Sequence, residues 1–514
     1  MNVYDEGLAL LGAQNVLEGQ IPYRDFFAVY PPGSFYFDAV LFQVFGTSIL
    51  IVRIADSIVT LLAVICTFLI TKHITAQKYA AVSSILAIGA LIWGGSLLSP
   101  PVLFGLVACI YLFHLRTYDR TRDVLVLGLI TAFSLLFRVD FGLYLFIALS
   151  TILILCNYSE AMLVSRPKER LYKVVKVWSI YVSGVLIIAA PVLILILRVV
   201  PLQDLIYQFI VFPRSIYPAF RSLPPPSPFS GSGTLRASFY FPIFVYVATA
   251  LWLGAQAIRH KAKLNEQSKP LFLLLFGALV FIYGSVRTSV GHLVPTLIIA
   301  VILFSWLVFS FIEKMRPTVK RKTIHALVPA VNLTYLFTIM LVSLFLLSSA
   351  LPALNPAQRG LVALDMNRAH GIYISADEAR NLTEAVAYIQ AHVPKNQTIF
   401  VGNTQHEQIF VNNVMFYFLA ERASATKYYD LEPGVATTAA IQNQIINDIA
   451  EHGTKYVVLW SGAAATAKEP NQSQYKSGVK NLDDYIKTNF VPVKHYGDYT
   501  IYARADSAGS AVSA

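Results

Sequence analysis

DEGLALLGAQNVLEGQIPYRDFFAVYPPG, Asp5 to Gly33, sets five charged residues among aromatics and prolines directly ahead of a long apolar chain. Its first part predicts a helix from Asp5 to Leu17: Leu10, Ala13 and Leu17 recur at helical spacing, and Asp5 is placed to cap the start. Gly19 stops that helix. The segment IPYRDFFAVYPPG is then a Pro- and aromatic-rich bend. SFYFDAVLFQVFG after it is too short to span a bilayer, so it is expected at the membrane interface. Two surface helices joined by a charged, aromatic loop thus open the chain.

Everything up to about residue 350 then reads as membrane. Of the 514 residues, 56% are hydrophobic and only 13% charged. Apolar runs recur at about 48–72, 78–93, 97–115, 122–138, 141–157, 174–198, 238–258, 270–286, 293–313 and 326–350, giving about ten spans. The connectors alternate in charge. One set is basic: Lys72 to Lys78; Arg116, Arg120 and Arg122; Arg166, Lys168, Arg170, Lys173 and Lys176; Arg259, Lys261, Lys263 and Lys269; Lys314, Arg316, Lys320, Arg321 and Lys322. The positive-inside rule puts these in the cytoplasm. The connectors 94–97, 138–140, 199–237 and 286–292 then lie outside, with residues 1–47 and everything after about 351. The formal charge of +11 is on this reading a topology signal, and no nucleic-acid partner is expected.

The chain accordingly divides into a first extracytoplasmic loop with interfacial helices (1–47), a transmembrane domain (48–350) and a soluble extracytoplasmic α/β domain (351–514). In the last, SADEARNLTEAVAYIQAHV begins with a capping box, Ser375 and Glu378, and QTIFVGN and KYVVLW read as buried strands. ATTAAIQNQIINDIAEHG and NLDDYIKTNF read as helices, and VKHYGDYTIYAR as a hairpin. The connector 199–237 is long for a loop; its first half is aromatic and amphipathic, and PPPSPFSGSG follows as a mobile link. Cys66, Cys109 and Cys156 all fall in apolar spans and read as small core residues. Met1 to Tyr4 is neither a signal peptide nor an anchor, so the reading expects a further apolar helix of about 20 residues ahead of it; in-frame upstream sequence tests this.

Asp5, Glu6, Arg24, Asp25, Arg138, Asp140, Arg214, Arg221, Arg287 and His292 all map to the outer face. Each has a structural explanation beside a chemical one. Asp5 and Glu6 favour a helix N-terminus simply as carboxylates, or one is a general base at the edge of a pocket. Asp25 beside Arg24 is a turn ion pair or a substrate contact. Arg138 and Asp140 in FRVDFG, and Arg287 and His292 in SVRTSVGH, snorkel at span ends or hold a lipid phosphate, which arginine binds bidentately. Arg53 and Asp56 are expected to pair within one helix.

DEGLALLGAQNVLEGQIPYRDFFAVYPPGSFY, with RVDFGLY and RTSVGHLVP later, resembles bacterial integral-membrane glycosyltransferases of the C superfold, the group of protein O-mannosyltransferases and the aminoarabinose transferase of lipid A. The resemblance covers Asp5 to about His292 as an ordered series. It implies a polytopic α-helical membrane protein, multi-pass in the plasma or inner membrane, with a C-terminal extracytoplasmic α/β domain. It implies transfer of a hexosyl or pentosyl group from a polyprenyl-phosphate donor to an acceptor, whether protein, lipid or glycan. Carried over by motif, Asp5 is the base and Glu6 supports it. Arg24, Arg138, Arg287 and His292 hold the departing phosphate; Asp25, Asp140 and Arg214 join the substrate contacts; Tyr23, Phe26, Phe27 and Tyr30 line the groove. This sequence departs from several relatives in having Tyr30 where they have Lys before Pro-Pro. A divalent metal stays open but unsupported, because His292, His406 and the carboxylates lack ligand spacing. The alternative is a non-catalytic transporter, flippase or polymerase of envelope glycans, which calls for polar residues at mid-bilayer; here these are nearly limited to Asp56.

Overall fold

The computed structural model describes residues 1–94, 100–115, 117–164, 166–259, 264–315 and 356–506, with isolated positions between 333 and 348. Along the chain run α1 (Asp5–Leu17), α2 (Pro32–Phe45), α3 (Ile49–Ile74), α4 (Gln77–Gly94), α5 (Pro100–His114), α6 (Thr121–Phe137), α7 (Val139–Val164) and α8 (Pro167–Val199). α9 (Leu202–Ile206), a π-helix (Tyr207–Ile216) and α10 (Tyr217–Arg221) follow, then α11 (Gly233–Ile258), α12 (Leu264–Val286) and α13 (Val290–Met315). The described residues of the first nine apolar runs fall largely on helices. Among the described residues, six helices, α3, α7, α8, α11, α12 and α13, are long and apolar enough to cross a membrane. The tenth run, 326–350, lies largely outside the described residues, as do the connector from 95 and the basic residues Arg116, Lys261, Lys263, Arg316, Lys320, Arg321 and Lys322.

The described chain forms two compact units. One comprises Ala55–Leu195 and Pro224–Leu351 and is helical; its core includes Ala63, Leu112, Phe141, Tyr181, Phe276 and Ile302. Gly128 and Gly184 let α6 and α8 touch backbone to backbone: a Cβ on Gly128 would lie 2.4 Å from the Tyr181 carbonyl oxygen.

The other unit joins Met1–Ile54, Ile196–Leu223 and Pro352–Ala514. The sequence reading divides the first and last of these into separate domains; here they share one core, in which Leu10 and Leu11 of α1 pack with Phe416, Tyr417 and Val458. α1 is therefore not a surface helix. Gly7 presses on the backbone of Met415, where a Cβ would approach the Met415 nitrogen to 2.6 Å, and Gly12 admits the Phe35 ring of α2. The missing side chains let backbone come close on both sides, so burial follows from two glycines rather than from an apolar stripe. α2 has a buried and an exposed apolar row. Pro32 starts it, Phe35, Ala39 and Phe42 face the core, and Tyr36, Val40, Val44 and Phe45 are exposed.

The C-terminal part of this unit contains β1 (Leu361–Ala363) and β2 (Tyr373–Ser375), α14 (Ala376–His392), β3 (Phe400–Asn403), α15 (Met415–Ala420) and α16 (Ala439–Glu451). β4 (Tyr456–Trp460), α17 (Asn481–Asn489), β5 (Phe490–Tyr496) and β6 (Tyr499–Arg504) complete it. The sheet order is β3-β4-β6-β5, with β3 parallel to β4 and the other pairs antiparallel. The expected strands, helices and hairpin are all present, and the Ser375 hydroxyl accepts from the Glu378 N–H as the capping pattern requires. The pair β1–β2 and the short helix α15 lie in stretches without a sequence expectation.

Candidate active site

Asp5 occupies the first turn of α1, not its cap. Asn2 does the capping: its Oδ1 accepts from the N–H groups of Tyr4 (3.1 Å) and Asp5 (3.0 Å), while its Nδ2 donates to Asp5 Oδ2 (2.9 Å). Relieved of that task, the Asp5 carboxylate is exposed. Glu6 beside it is held by Arg53 of α3, which donates from Nε at 2.6 Å and Nη2 at 2.9 Å, a two-pronged grip. Arg53 thus meets a carboxylate 47 residues away in sequence, a partner that the spacing within its own helix does not indicate.

Beneath the start of α1 lies a cluster that the sequence reading did not assemble. The Tyr4 hydroxyl sits 2.7 Å from Asp430 Oδ1 and 2.8 Å from Glu432 Oε1, and accepts from Arg221 Nη2 at 3.1 Å. Arg221 also donates from Nε to Glu432 Oε2 (3.0 Å), and all four residues are buried. A phenol has one proton to give, so it cannot serve two carboxylates. One acid must carry its own. Burial and the neighbouring Glu432 push the Asp430 carboxyl well above its ordinary range, which makes Asp430 the neutral one. The count then closes, because Glu432 remains to balance Arg221. Burial opposes the arginine's charge, but Glu432 more than offsets this and its pKa is raised. Burial above all, with Glu432 beside it, likewise holds the Tyr4 phenol protonated. Asp430 Oδ2 has no hydrogen-bond partner among the described residues. One signal for this cluster was present in the sequence: Asp430 and Glu432 stand two apart in YDLEP, and extended backbone puts such side chains on one face.

The bend at 21–30 is a tight structure in its own right. Arg24 grips Asp25 with Nε (2.7 Å) and Nη2 (2.8 Å), and this grip, helped by the Ile21 N–H that Asp25 Oδ2 also accepts, draws the carboxyl pKa down. Tyr23 has φ of 71°, a left-handed conformation disfavoured for a bulky side chain. Its N–H bonds to the Phe26 carbonyl and its hydroxyl to the Tyr30 carbonyl, and these contacts, with burial of the ring, hold the strain. Tyr23, Phe26 and Phe27 do not line a groove. They are core residues, with Phe26 edge-on to Phe35 and Phe27 edge-on to Phe212; Tyr30 alone of the four is half-buried. Arg214 is exposed on the π-helix.

In the helical unit, the α6–α7 corner and the α12–α13 corner are brought together. Arg138 donates to both Asp140 oxygens (3.0 and 3.2 Å), and its guanidinium lies 4.3 Å from the centre of the Tyr283 ring. Tyr283 in turn meets Phe141 edge-on and lies 5.7 Å from the His292 ring. His292 Nδ1 is 2.8 Å from Ser289 Oγ, and Arg287 stands half-buried in the same corner. RVDFG and RTSVGH, about 150 residues apart in sequence, thus form one Arg-His corner with an aromatic wall. Among the described residues, no group of three or more His, Cys, Asp or Glu could hold a metal ion.

No family model matches the sequence, and no curated protein matches it significantly. Solved structures do. ArnT from Cupriavidus metallidurans in the apo state superposes with TM-score 0.53 at 12% identity over 98% of this chain and 94% of that one. The same protein bound to undecaprenyl phosphate gives 0.51 at 13% identity over 97% and 93%. This chain shares the fold of ArnT. The Archaeoglobus fulgidus oligosaccharyltransferase is also similar, with TM-score 0.49 at 10% identity over 89% of this chain and 66% of its own. Within that fold this chain is a polytopic α-helical membrane protein with a C-terminal α/β region.

Proposed function

We propose that this chain transfers a sugar from a polyprenyl-phosphate-linked donor to an acceptor at the extracytoplasmic face of the membrane, with Asp5 as general base. The observation that carries the reading is the brace around Asp5. An exposed carboxylate opens a buried helix, with a charge-balanced Tyr4–Arg221–Glu432–Asp430 cluster under it and Glu6 tied down by Arg53. A plain helix-terminal carboxylate needs no such support, whereas a base must keep its place while a proton moves. The fold adds to this, since ArnT, which shares it, has been seen with undecaprenyl phosphate.

In the proposed reaction Asp5 takes the acceptor's hydroxyl proton as that oxygen bonds to the anomeric carbon. The bond from the anomeric carbon to the phosphate oxygen breaks, and its electron pair leaves on the phosphate. Within the helical unit, the Arg138, Arg287 and His292 corner is proposed as a phosphate-binding site in its own right, since two guanidiniums and an imidazole supply charge-assisted donors. Arg24 is engaged with Asp25 and serves first to shape the bend; Arg214 is assigned to the donor's headgroup.

Sugar release from radiolabelled polyprenyl-phosphate donors, in membranes carrying the chain, tests this. Asp5→Asn is expected to lower turnover by about 100-fold or more with insertion unchanged. Full turnover in that variant removes Asp5 from the mechanism. No turnover of any donor by the unaltered chain ends the transferase reading.

A further inference from the structure

A cavity of about 320 Å³ lies one residue away from the Arg221–Glu432 pair, between Phe220 of α10 and Pro433 on one side and the 472–477 loop on the other. Its apolar walls are Phe220, Ile409 and Pro433. The loop is fastened to the far side, because Asn471 Nδ2 donates to the Ser222 carbonyl at 2.9 Å and the Ser473 hydroxyl donates back to Asn471 Oδ1 at 2.6 Å. The walls therefore bring Phe220 together with residues far along the chain, Ile409 to Ser477, and are held.

What lines the cavity is unspent polar capacity over an apolar base. The Gln472 side-chain amide and the Tyr475 hydroxyl have no hydrogen-bond partner among the described residues. The Thr437 and Ser477 oxygens accept from the N–H groups of Gly434 and Val479, which leaves each hydroxyl proton for a ligand. The Tyr475 ring is 69% exposed, an apolar face with a polar tip standing at the opening. Charge is already committed: Lys476 donates to the buried Glu407, so the cationic residue of the lining is spoken for. Uncharged donors and acceptors around an aromatic face complement a molecule that presents both hydroxyls and apolar C–H surface, and a volume of this size takes a small ligand.

We propose that this cavity is a binding site for a neutral saccharide, and that it seats the acceptor. The second half of that statement rests on the transferase reading; saccharide binding does not. Phe220 and Pro433 directly adjoin Arg221 and Glu432 in sequence, so an acceptor seated here is held by the immediate neighbours of the residues that brace Tyr4.

The test is saturation-transfer NMR on the purified full chain in nanodiscs, without donor. The probes are maltotriose, mannotriose and chitotriose, beside trigalacturonate and a neutral Ser/Thr hexapeptide. At least one neutral trisaccharide is expected to bind, and Tyr475→Ala and Gln472→Ala, both at exposed positions, each to weaken it roughly tenfold. Lys487→Ala, on α17, is expected to leave binding unchanged. Absence of binding by all three neutral trisaccharides, stronger binding of trigalacturonate or of the peptide, or indifference to both substitutions overturns the proposal. Donor turnover is measured on the same preparation with water as acceptor. Its loss with saccharide binding retained defeats the transferase reading alone; the converse defeats the cavity alone.

Discussion

The Tyr4 hydroxyl is one oxygen in contact with two acids and an arginine, and the predictions at residue scale turn on it. Tyr4→Phe removes the proton and the acceptor that the buried acids share, so it is expected to cost about 1–3 kcal/mol, read as a lower unfolding midpoint. Arg221→Met leaves Glu432 buried without a counter-charge and is expected to cost about 3–5 kcal/mol, more than the tyrosine change. Asp430 makes a pH prediction. Its carboxyl pKa is raised above the ordinary 3.8, so the folded chain keeps a proton that the unfolded chain releases. That contribution to stability is complete below the ordinary value and is lost as pH rises toward the folded one. The stability of the unaltered chain relative to Asp430→Asn should accordingly fall with rising pH, by at most about 1.4 kcal/mol per pH unit. A gap that stays constant from about pH 5 to about pH 8 would show that Asp430 is ionised when folded.

At the scale of elements, α1 was legible in extent but not in placement. Helical spacing and Gly19 mark its bounds at Asp5 and Leu17, and the structure has the same bounds. Its burial rests on Gly7 and Gly12, which in sequence read only as helix-weakening residues. Gly7→Ala is expected to destabilise by about 1–3 kcal/mol, since its Cβ would meet the Met415 backbone at 2.6 Å. Gly254→Ala in α11 has no atom within 4 Å and should be neutral or stabilising by up to about 1 kcal/mol in the same unfolding assay. The stretch 202–221 shows the opposite failure. Its place between two apolar runs makes it read as the first half of a long connector, yet it is helical throughout, with Pro213 inside a π-helix. Proline has no N–H to give, and a wider turn relieves the clash of its ring with the preceding carbonyls.

At the scale of the whole molecule, the alternation of basic connectors assigns sides of the membrane, and this is directly measurable. Cys66, Cys109 and Cys156 are all buried, so a membrane-impermeant maleimide has a low background. Ala464→Cys in the C-terminal part should label in intact cells, and Lys168→Cys at the start of α8 only after the membrane is opened. The reverse pattern would invert the orientation and remove the extracytoplasmic site.

Sequence by itself determined what depends on local pattern. The helices, the hairpin, the capped start of α14 and the sheet strands follow from periodicity, turn residues and caps acting within a few residues of one another. RVDFG and RTSVGH were visible as motifs, and only the packing of α7 on α12 made them one corner around Tyr283. Tertiary structure alone decided which charges share a site. Glu6 is matched to Arg53, and Tyr4 to Arg221, Asp430 and Glu432, across 47 to 428 residues of chain, and no local spacing encodes such pairings. They exist because a buried charge or phenol is costly until a partner meets it, and the partner is supplied by whatever segment the folded core brings there.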